Sequence, residues 1–365
     1  MTSEKNIKKL VCLQIIPTMG IGGVETGVRD ISKFLKKSNI QNYILCEESN
    51  KNLKERDLDI VYLKNLKFKN IFDQIKIKNF ISKLIDKRNI NLVHISSRAP
   101  AFFLIKFLKK RNIRIVTSVH NRYKPGSFLK DWYNSFLTKG DEVIFNSNFV
   151  KNSYYFKSNK KKNYHVIPRG IDLNYFKPSK KSINPTIKKI FLPSRISSWK
   201  GHETLLKYYK KLPPSYQNEF KLVFISSHLS PYEIKIDKHV EQLSLLNNVF
   251  FVKPTLDIKP HYNDCYLVIN ISTRPEGFGR TISEALSMSK PVLAPNQGGT
   301  KEQLSKFDKK LMFNINSHKS FYEAFKYAIK NYQSIKMNSR SFVKKNYSSD
   351  LMCQKTKDIY LNLIK

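Results

Sequence analysis

Two glutamates eight positions apart, Glu276 and Glu284, stand on either side of a glycine turn in RPEGFGRTISEALSMSKPVLAPNQGGT, Arg274 to Thr300. Gly277 and Gly279 let that backbone approach a ligand, and with Phe278 between them its N–H groups can receive phosphate or carbohydrate oxygens at a helix start. Carboxylates accept the paired hydroxyls of sugars. A structural use competes for one of them, because Thr281 and Glu284 fit the T-x-x-E spacing of a capping box. Gly20, Gly22 and Gly23 in PTMGIGGVETGVRDI follow the first apolar run and precede a helical pattern whose N-terminal amides favour an anion. Their GxGG spacing is neither GxGxxG nor a P-loop, and a tight strand-to-helix connection uses the same glycines. Arg195 and Lys200 in FLPSRISSWKGHETLL lie just past a strand, where two cations could clamp a diphosphate without a metal; in a lysine-rich chain they could equally be solvated charges.

His120 ends the run IRIVTSVH and so falls at the carboxyl end of a strand, where a histidine can act as acid, base or hydrogen-bond donor, although a lone histidine is more often structural. His94, in NLVHISSR, falls further inside its strand. Arg122, Lys124 and Lys130 are interleaved with Phe128, Trp132, Tyr133 and Phe136, a mixture that suits an anionic lipid interface or, equally, a core-facing helix stripe. The chain contains no HExxH, no GxSxG and no His/Cys cluster of zinc spacing, and Asp57 to Asp59 fall in a polar segment before a strand, so metal-free chemistry is the simpler expectation.

The elements that must position these residues alternate. KLVCLQIIP, a helix carrying Val24, Val28, Ile31 and Leu35 on one face, and QNYILCE open a strand–helix series that continues through NLVHISS, IRIVTSVH, DEVIFNS and NYHVIPRGI. Around Pro178 and Pro185 the composition turns to that of a linker, and a second series begins: IKKIFLPSR, GHETLLKYYKKLP, FKLVFISS, a helix near His239 to Leu246, NVFFVK, CYLVINIST, the helix after Gly279, and KPVLAP. From Ser317 onward the pattern is mostly helical. Two parallel sheets covered by helices follow from this succession, and 365 residues exceed what one core usually serves.

The net charge, 66 Lys and Arg minus 28 Asp and Glu, is +38. The basic residues are spread along the chain, so compositional bias and an anionic membrane surface compete as explanations, and nucleic acid trails both for want of an RNP or zinc module. Cys12, Cys46, Cys265 and Cys353 lie far apart, which fits a reduced cytoplasmic compartment. The N-terminal apolar run is broken by Gln14 and Pro17 and reads as a strand rather than a signal, and no run approaches the ~18 residues of a spanning helix. The expected place is cytoplasmic, peripheral on the inner face of the membrane.

Taken in order, GIGGVETGV, VHN, IFNSNFVKNSY, VIPRGIDLNYFKP, PSRISSWKGHETLL and RPEGFGRTISEALSMSKPVLAPNQGGTKE resemble the retaining glycosyltransferases of family 4, over nearly the whole chain. The last segment carries that family's E-x7-E signature as Glu276 and Glu284. The resemblance implies an α/β GT-B fold of two Rossmann-like doubly wound domains facing a cleft, with residues 1–178 as the acceptor domain, 179–345 as the nucleotide-sugar donor domain and 346–365 as a helix returning to the first. It further implies that Gly22 and Gly23 approach donor phosphate, Arg195 and Lys200 bind the diphosphate, Glu276 faces the donor hexose and Glu284 the ribose. The amides of Gly277, Phe278 and Gly279 would hold sugar and phosphate, and His120 would lie near the transferred sugar.

HISSRAPAF, VIPRGID and STRPEGFGR look like the branch that adds mannose to lipopolysaccharide core. FKLVFISSHL departs from the family, many members of which have a V-G-x-G turn there. The implied partners are a nucleotide diphosphate sugar (GDP-mannose or a UDP-sugar), a glycolipid acceptor and an anionic membrane surface, with no nucleic acid and no metal or other cofactor. Two alternatives are a nucleotide-sugar epimerase of similar fold, which would need no acceptor, and a nonenzymatic nucleic-acid-binding protein, prompted by the charge.

Overall fold

The computed structural model describes residues 9–20, 22–48, 55, 57–64, 66, 71–154, 163–179 and 187–365. Ile21, the lysines at 160–162 and Pro185 lie outside them. The chain divides into two compact units, Met1–Gly170 with Ser349–Lys365, and Ile171–Ser348.

In the first unit, β1 (Val11–Ile15), β2 (Gln41–Cys46), β3 (Asp59–Tyr62), β4 (Leu92–Ile95), β5 (Arg114–Val119), β6 (Glu142–Phe145) and β7 (Asn163–Val166) form a parallel sheet in the order β3-β2-β1-β4-β5-β6-β7. The connecting helices are α1 (Gly23–Lys37), α2 (Ile71–Arg88), α3 (Arg98–Lys110), α4 (Phe128–Ser135) and α5 (Asn148–Ser153). Strands that face helices on both sides must be apolar throughout, and VCLQI and LVHI are buried at every position. The polar exception in β1, Gln14, is answered by Ser32, to whose Oγ its Nε2 donates at 2.7 Å.

The second unit repeats the design with β8 (Lys188–Arg195), β9 (Phe220–Ile225), β10 (Val249–Val252), β11 (Leu267–Ile269), β12 (Val292–Pro295) and β13 (Met312–Phe313), parallel in the order β10-β9-β8-β11-β12-β13. Its helices are α6 (His202–Lys210), α7 (Pro214–Glu219), α8 (Pro231–Gln242), α9 (Lys259–Asp264), α10 (Arg280–Ser287), α11 (Gly298–Phe307), α12 (His318–Lys330) and α13 (Tyr332–Tyr347). The last helix, α14 (Ser349–Ile364), belongs to the first unit: Met352, Cys353, Ile359 and Tyr360 share one apolar core with Ile31 and Leu35 of α1 and with Cys12, Leu92 and Val116 of the sheet.

The helix expected near His239 to Leu246 starts earlier and stops sooner. Ser230 caps it by accepting from the Glu233 N–H, Glu233 reaches back to the Ser230 N–H, and proline holds the first turn, a start signal legible as S-P-Y-E. It ends at Gln242, and Ser244 takes a left-handed φ of 54° beyond it.

Both sheets are doubly wound in one pattern, the first strand flanked by the second and the fourth. From the carboxyl ends of the two central neighbours the chain goes on to helices on opposite faces, so the loops begin side by side and open a crevice, and such a switch point is where open α/β sheets take ligands. The two switch points are β1/β4 and β8/β11.

Candidate functional site

In the second unit β8 and β11 pair directly, Ile190 opposite Leu267, so the loops that leave them run side by side. The first carries Lys200 and the second Glu276. Lys200 Nζ donates to Glu276 Oε1 at 2.6 Å, and the Ser272 hydroxyl donates to the same oxygen. Their side chains are 20% and 13% exposed, so the two groups meet largely out of water. Lys200 also lies 4.2 Å above the Trp199 ring. The loops are stitched by the Thr273 N–H, which donates to the Trp199 carbonyl at 2.8 Å. Arg195 ends β8 in an exposed position and makes no ion pair among the described residues.

The glycine turn leads into α10 through Gly279, whose φ of +82° a side chain would resist. Phe278 is buried, so its backbone alone can serve a ligand. The carbonyls of the turn are already taken: Gln303 Nε2 donates to those of Phe278 (2.6 Å) and Gly279 (3.1 Å), and the Gly299 N–H to that of Glu276 (2.9 Å). What the start of α10 offers an anion is therefore its N–H groups and the positive end of its dipole.

Thr281 lies inside this helix, not at its cap, and no side-chain cap forms. Glu284 is held instead by Tyr262, whose hydroxyl donates to Oε2 at 2.9 Å, and by Arg280, whose Nε donates to Oε1 at 3.1 Å. Burial foremost, and then the carboxylate itself, push the Tyr262 hydroxyl well above its ordinary value, so it stays a donor. The two glutamates thus have separate partners and separate surroundings.

The departure at FKLVFISSHL has a physical form. After β9, His228 adopts φ +57°, and the N–H groups of Ser227, Leu229 and Ser230 all donate to the carboxylate of Glu233. Burial alone would raise that carboxyl, but the backbone donors of Ser230 and Ser227 outweigh it and hold it down at about 2. An internal carboxylate occupies this turn.

In the first unit Gly22 is the N-cap residue of α1 and Gly23 its first residue, directly beyond β1. Arg29, buried nearly two turns further on, donates to the Met19 carbonyl at 3.1 Å and to that of Gly20, and pairs with Glu55 at 3.0 Å. His120 lies just past β5. Arg169 donates to its Nδ1 at 2.8 Å, Asn146 donates to its carbonyl at 2.8 Å, and its Nε2 is buried without a partner among the described residues. His94 lies fully inside β4, between the Ser118 hydroxyl at 2.6 Å and the Tyr360 hydroxyl of α14. Burial, then the Arg169 charge, lower it to about 3.

The structure thus joins Lys200 with Glu276, puts both beside the turn of Gly277 to Gly279, and leaves Arg195 at the neighbouring strand end. Ser272, Tyr262, Arg280, Gln303, Arg29 and Arg169 are the supporting residues that reading by motif passed over. Among the described residues no group of three or more His, Cys, Asp or Glu could hold a metal ion, and no helix is long and apolar enough to cross a membrane.

Comparison with known proteins divides the chain at the same place as its sheets. Residues 21–175 match the model for Glycosyltransferase Family 4, and residues 176–347 that for Glycosyl transferases group 1. An O-antigen biosynthesis glycosyltransferase of Escherichia coli, WclY, is 23% identical across 86% of this chain and 89% of its own. The crystal structure of a glycosyltransferase from Rickettsia africae superposes with a TM-score of 0.87 at 28% identity, covering 98% of this chain and 99% of that one. Anabaena HepE, solved with UDP-glucose, superposes with a TM-score of 0.81 at 19% identity, covering 96% and 99%.

Proposed function

The chain is a glycosyltransferase of the GT-B fold, belonging to family 4 by its first half and to glycosyl transferases group 1 by its second, and we propose that it moves a hexose, best mannose, from a nucleotide diphosphate sugar to a hydroxyl of a lipid-linked or lipopolysaccharide-core acceptor, retaining the anomeric configuration. The carrying observation is the cluster of Lys200, Ser272 and Glu276 at the β8/β11 switch point, a cation and a carboxylate beside a helix start. The UDP-glucose complex of HepE supports a nucleotide donor, and the O-antigen role of WclY an envelope glycan as product.

In this reading the bond between the anomeric carbon and the diphosphate oxygen breaks while the acceptor oxygen bonds to that carbon on the same face, and the acceptor proton passes to the leaving phosphate. Negative charge grows on the diphosphate, and Arg195, Lys200, the Gly22–Gly23 turn and the amides of Gly277, Phe278 and Gly279 answer it. Glu276 orients the hexose through its hydroxyls and does not attack, unlike the paired carboxylates of a glycosidase. Glu284, set by Tyr262 and Arg280, takes the ribose, and His120 stands at the transferred sugar.

A panel of nucleotide sugars offered with Kdo-lipid A-like and polyisoprenyl acceptors, read by product mass and released nucleoside diphosphate, tests the proposal. The expected signal is GDP-mannose consumed with the former. Donor converted to an isomer without an acceptor would instead make the enzyme an epimerase.

A membrane surface as partner is supported by α4, where Phe128, Leu129 and Trp132 are 84%, 71% and 46% exposed near Lys124 and Lys130. Trp132, for all its exposure, packs with Tyr133 and Phe136 of the same segment on Phe102, which leaves Phe128 and Leu129 as the outward apolar pair. The protein should float with vesicles containing anionic lipid and be released by salt, and Phe128→Ser with Leu129→Ser should abolish flotation; indifference to lipid charge would reject the surface.

A further inference from the structure

His120 has a neighbour that decides what it can do. A guanidinium has five N–H groups and no lone pair to offer, so it can only donate. With Arg169 donating to Nδ1 at 2.8 Å, that nitrogen accepts, and the ring proton belongs on Nε2. Nε2 is buried and has no partner among the described residues. A cavity of about 20 Å³ lies here, lined in part by His94, Ser118, His120, Asn146, Arg169 and Thr356, with room for one water-sized oxygen.

The approach of Arg169 depends on a second residue. Gly27 lies inside α1, and a methyl group built on it would come within 2.3 Å of Arg169 Nη1. Glycine costs a helix interior stability relative to alanine, and here it leaves the space that the guanidinium fills.

We propose that Arg169, admitted by Gly27, is a positioning residue that fixes His120 with its Nδ1 lone pair occupied and its proton on Nε2, so that His120 serves as a rigid neutral hydrogen-bond donor to a hydroxyl or water oxygen and not as a general base. The part of this that concerns turnover rests on the placement of His120 at the transferred sugar. The charged and titratable groups facing the ring are Arg169, from the segment after β7, and His94, from β4, while α1 and α14 present Ile31, Met352 and Thr356 to the same space. Burial first, then the charges of Arg169 and His94, hold His120 well below its ordinary value, in agreement with a neutral ring.

Two-bond proton–nitrogen NMR on the full chain labelled with ¹⁵N-histidine, with His120 assigned by loss of its signals in His120→Gln, reads the tautomer directly. In the parent protein the proton should sit on Nε2 and the ring should not titrate between about pH 5 and 8. Gly27→Ala should keep α1 helical, displace the guanidinium, mix the tautomers and bring titration into that range, and Arg169→Met should do the same. With both substitutions kcat should fall about tenfold at unchanged donor KM. A proton on Nδ1 in the parent, a ring that titrates there, or both variants keeping the parent's tautomer would each overturn the clamp. Tautomers that change while kcat does not would leave the clamp standing and remove His120 from the proposed catalytic site.

Discussion

Replacing Glu276 with alanine should lower kcat by on the order of 10²-fold while the nucleoside diphosphate product binds as tightly as before, or up to about threefold more tightly. The first half follows from the proposed role: the carboxylate meets hexose hydroxyls, and removing it costs orientation of the anomeric carbon in the transition state. The second follows from the ion pair. Lys200 Nζ is engaged by Glu276 Oε1, so a diphosphate must compete for the ammonium. Without the carboxylate, Lys200 keeps the Trp199 ring beside it and has no anion but the ligand to answer it.

Lys200→Ala separates the two effects, since loss of a charge-assisted contact to phosphate, about 1.5–3 kcal/mol, should weaken nucleoside diphosphate binding roughly tenfold or more. Because the partners touch, the double substitution should deviate from additivity by more than about 0.5 kcal/mol. Calorimetry of the four proteins with nucleoside diphosphate, beside steady-state rates, completes the cycle. Glu276→Ala losing binding and turnover equally would remove the carboxylate from the sugar, and Lys200→Ala binding like the parent would remove the diphosphate clamp.

Period and punctuation make the two doubly wound units legible in the amino-acid sequence, because buried parallel strands must be short apolar runs and the helices between them must show one apolar face. Some elements passed over have a short signal, β13 with two residues and α7 and α9 with six each, but α2 and α11, of 18 and 10 residues, are passed over as well. The site divides in the same way. Its glycines and charged residues lie within motifs, but the groups that hold them come from far along the chain: Arg169 reaches His120 from 49 residues away, Tyr360 reaches His94 from 266, and Tyr262 reaches Glu284 from 22. Such contacts are consequences of strand order, which periodicity does not specify. The capping-box spacing of Thr281 and Glu284 fails for a related reason. A left-handed glycine at 279 starts the helix earlier, which puts Thr281 inside it and frees the glutamate for Tyr262.

Gly201→Ala should be the most damaging single methyl group in the second unit. Gly201 caps α6 directly after Lys200 with φ +79°, and a β-carbon there would lie 2.0 Å from the Ile271 carbonyl oxygen, a backbone atom that cannot swing aside. The left-handed conformation alone costs a non-glycine residue about 1–2 kcal/mol, and relieving the clash requires the β8 loop to move away from the β11 loop. That motion would pull the Thr273 N–H from the Trp199 carbonyl and Lys200 from Glu276. The expected loss is about 2–4 kcal/mol, a Tm lower by roughly 5–15 °C for a unit of this size, with nucleoside diphosphate binding weakened at temperatures where the protein is still folded. Gly20→Ala is the matched control: nothing lies within 4 Å of its added methyl group, so its Tm should stay within about 1–2 °C of the parent. Thermal melts with and without nucleoside diphosphate decide the matter. A Gly201→Ala protein that melts and binds like the parent would mean that the two loops are not held in register by this glycine, and that the meeting of Lys200 with Glu276 has another cause.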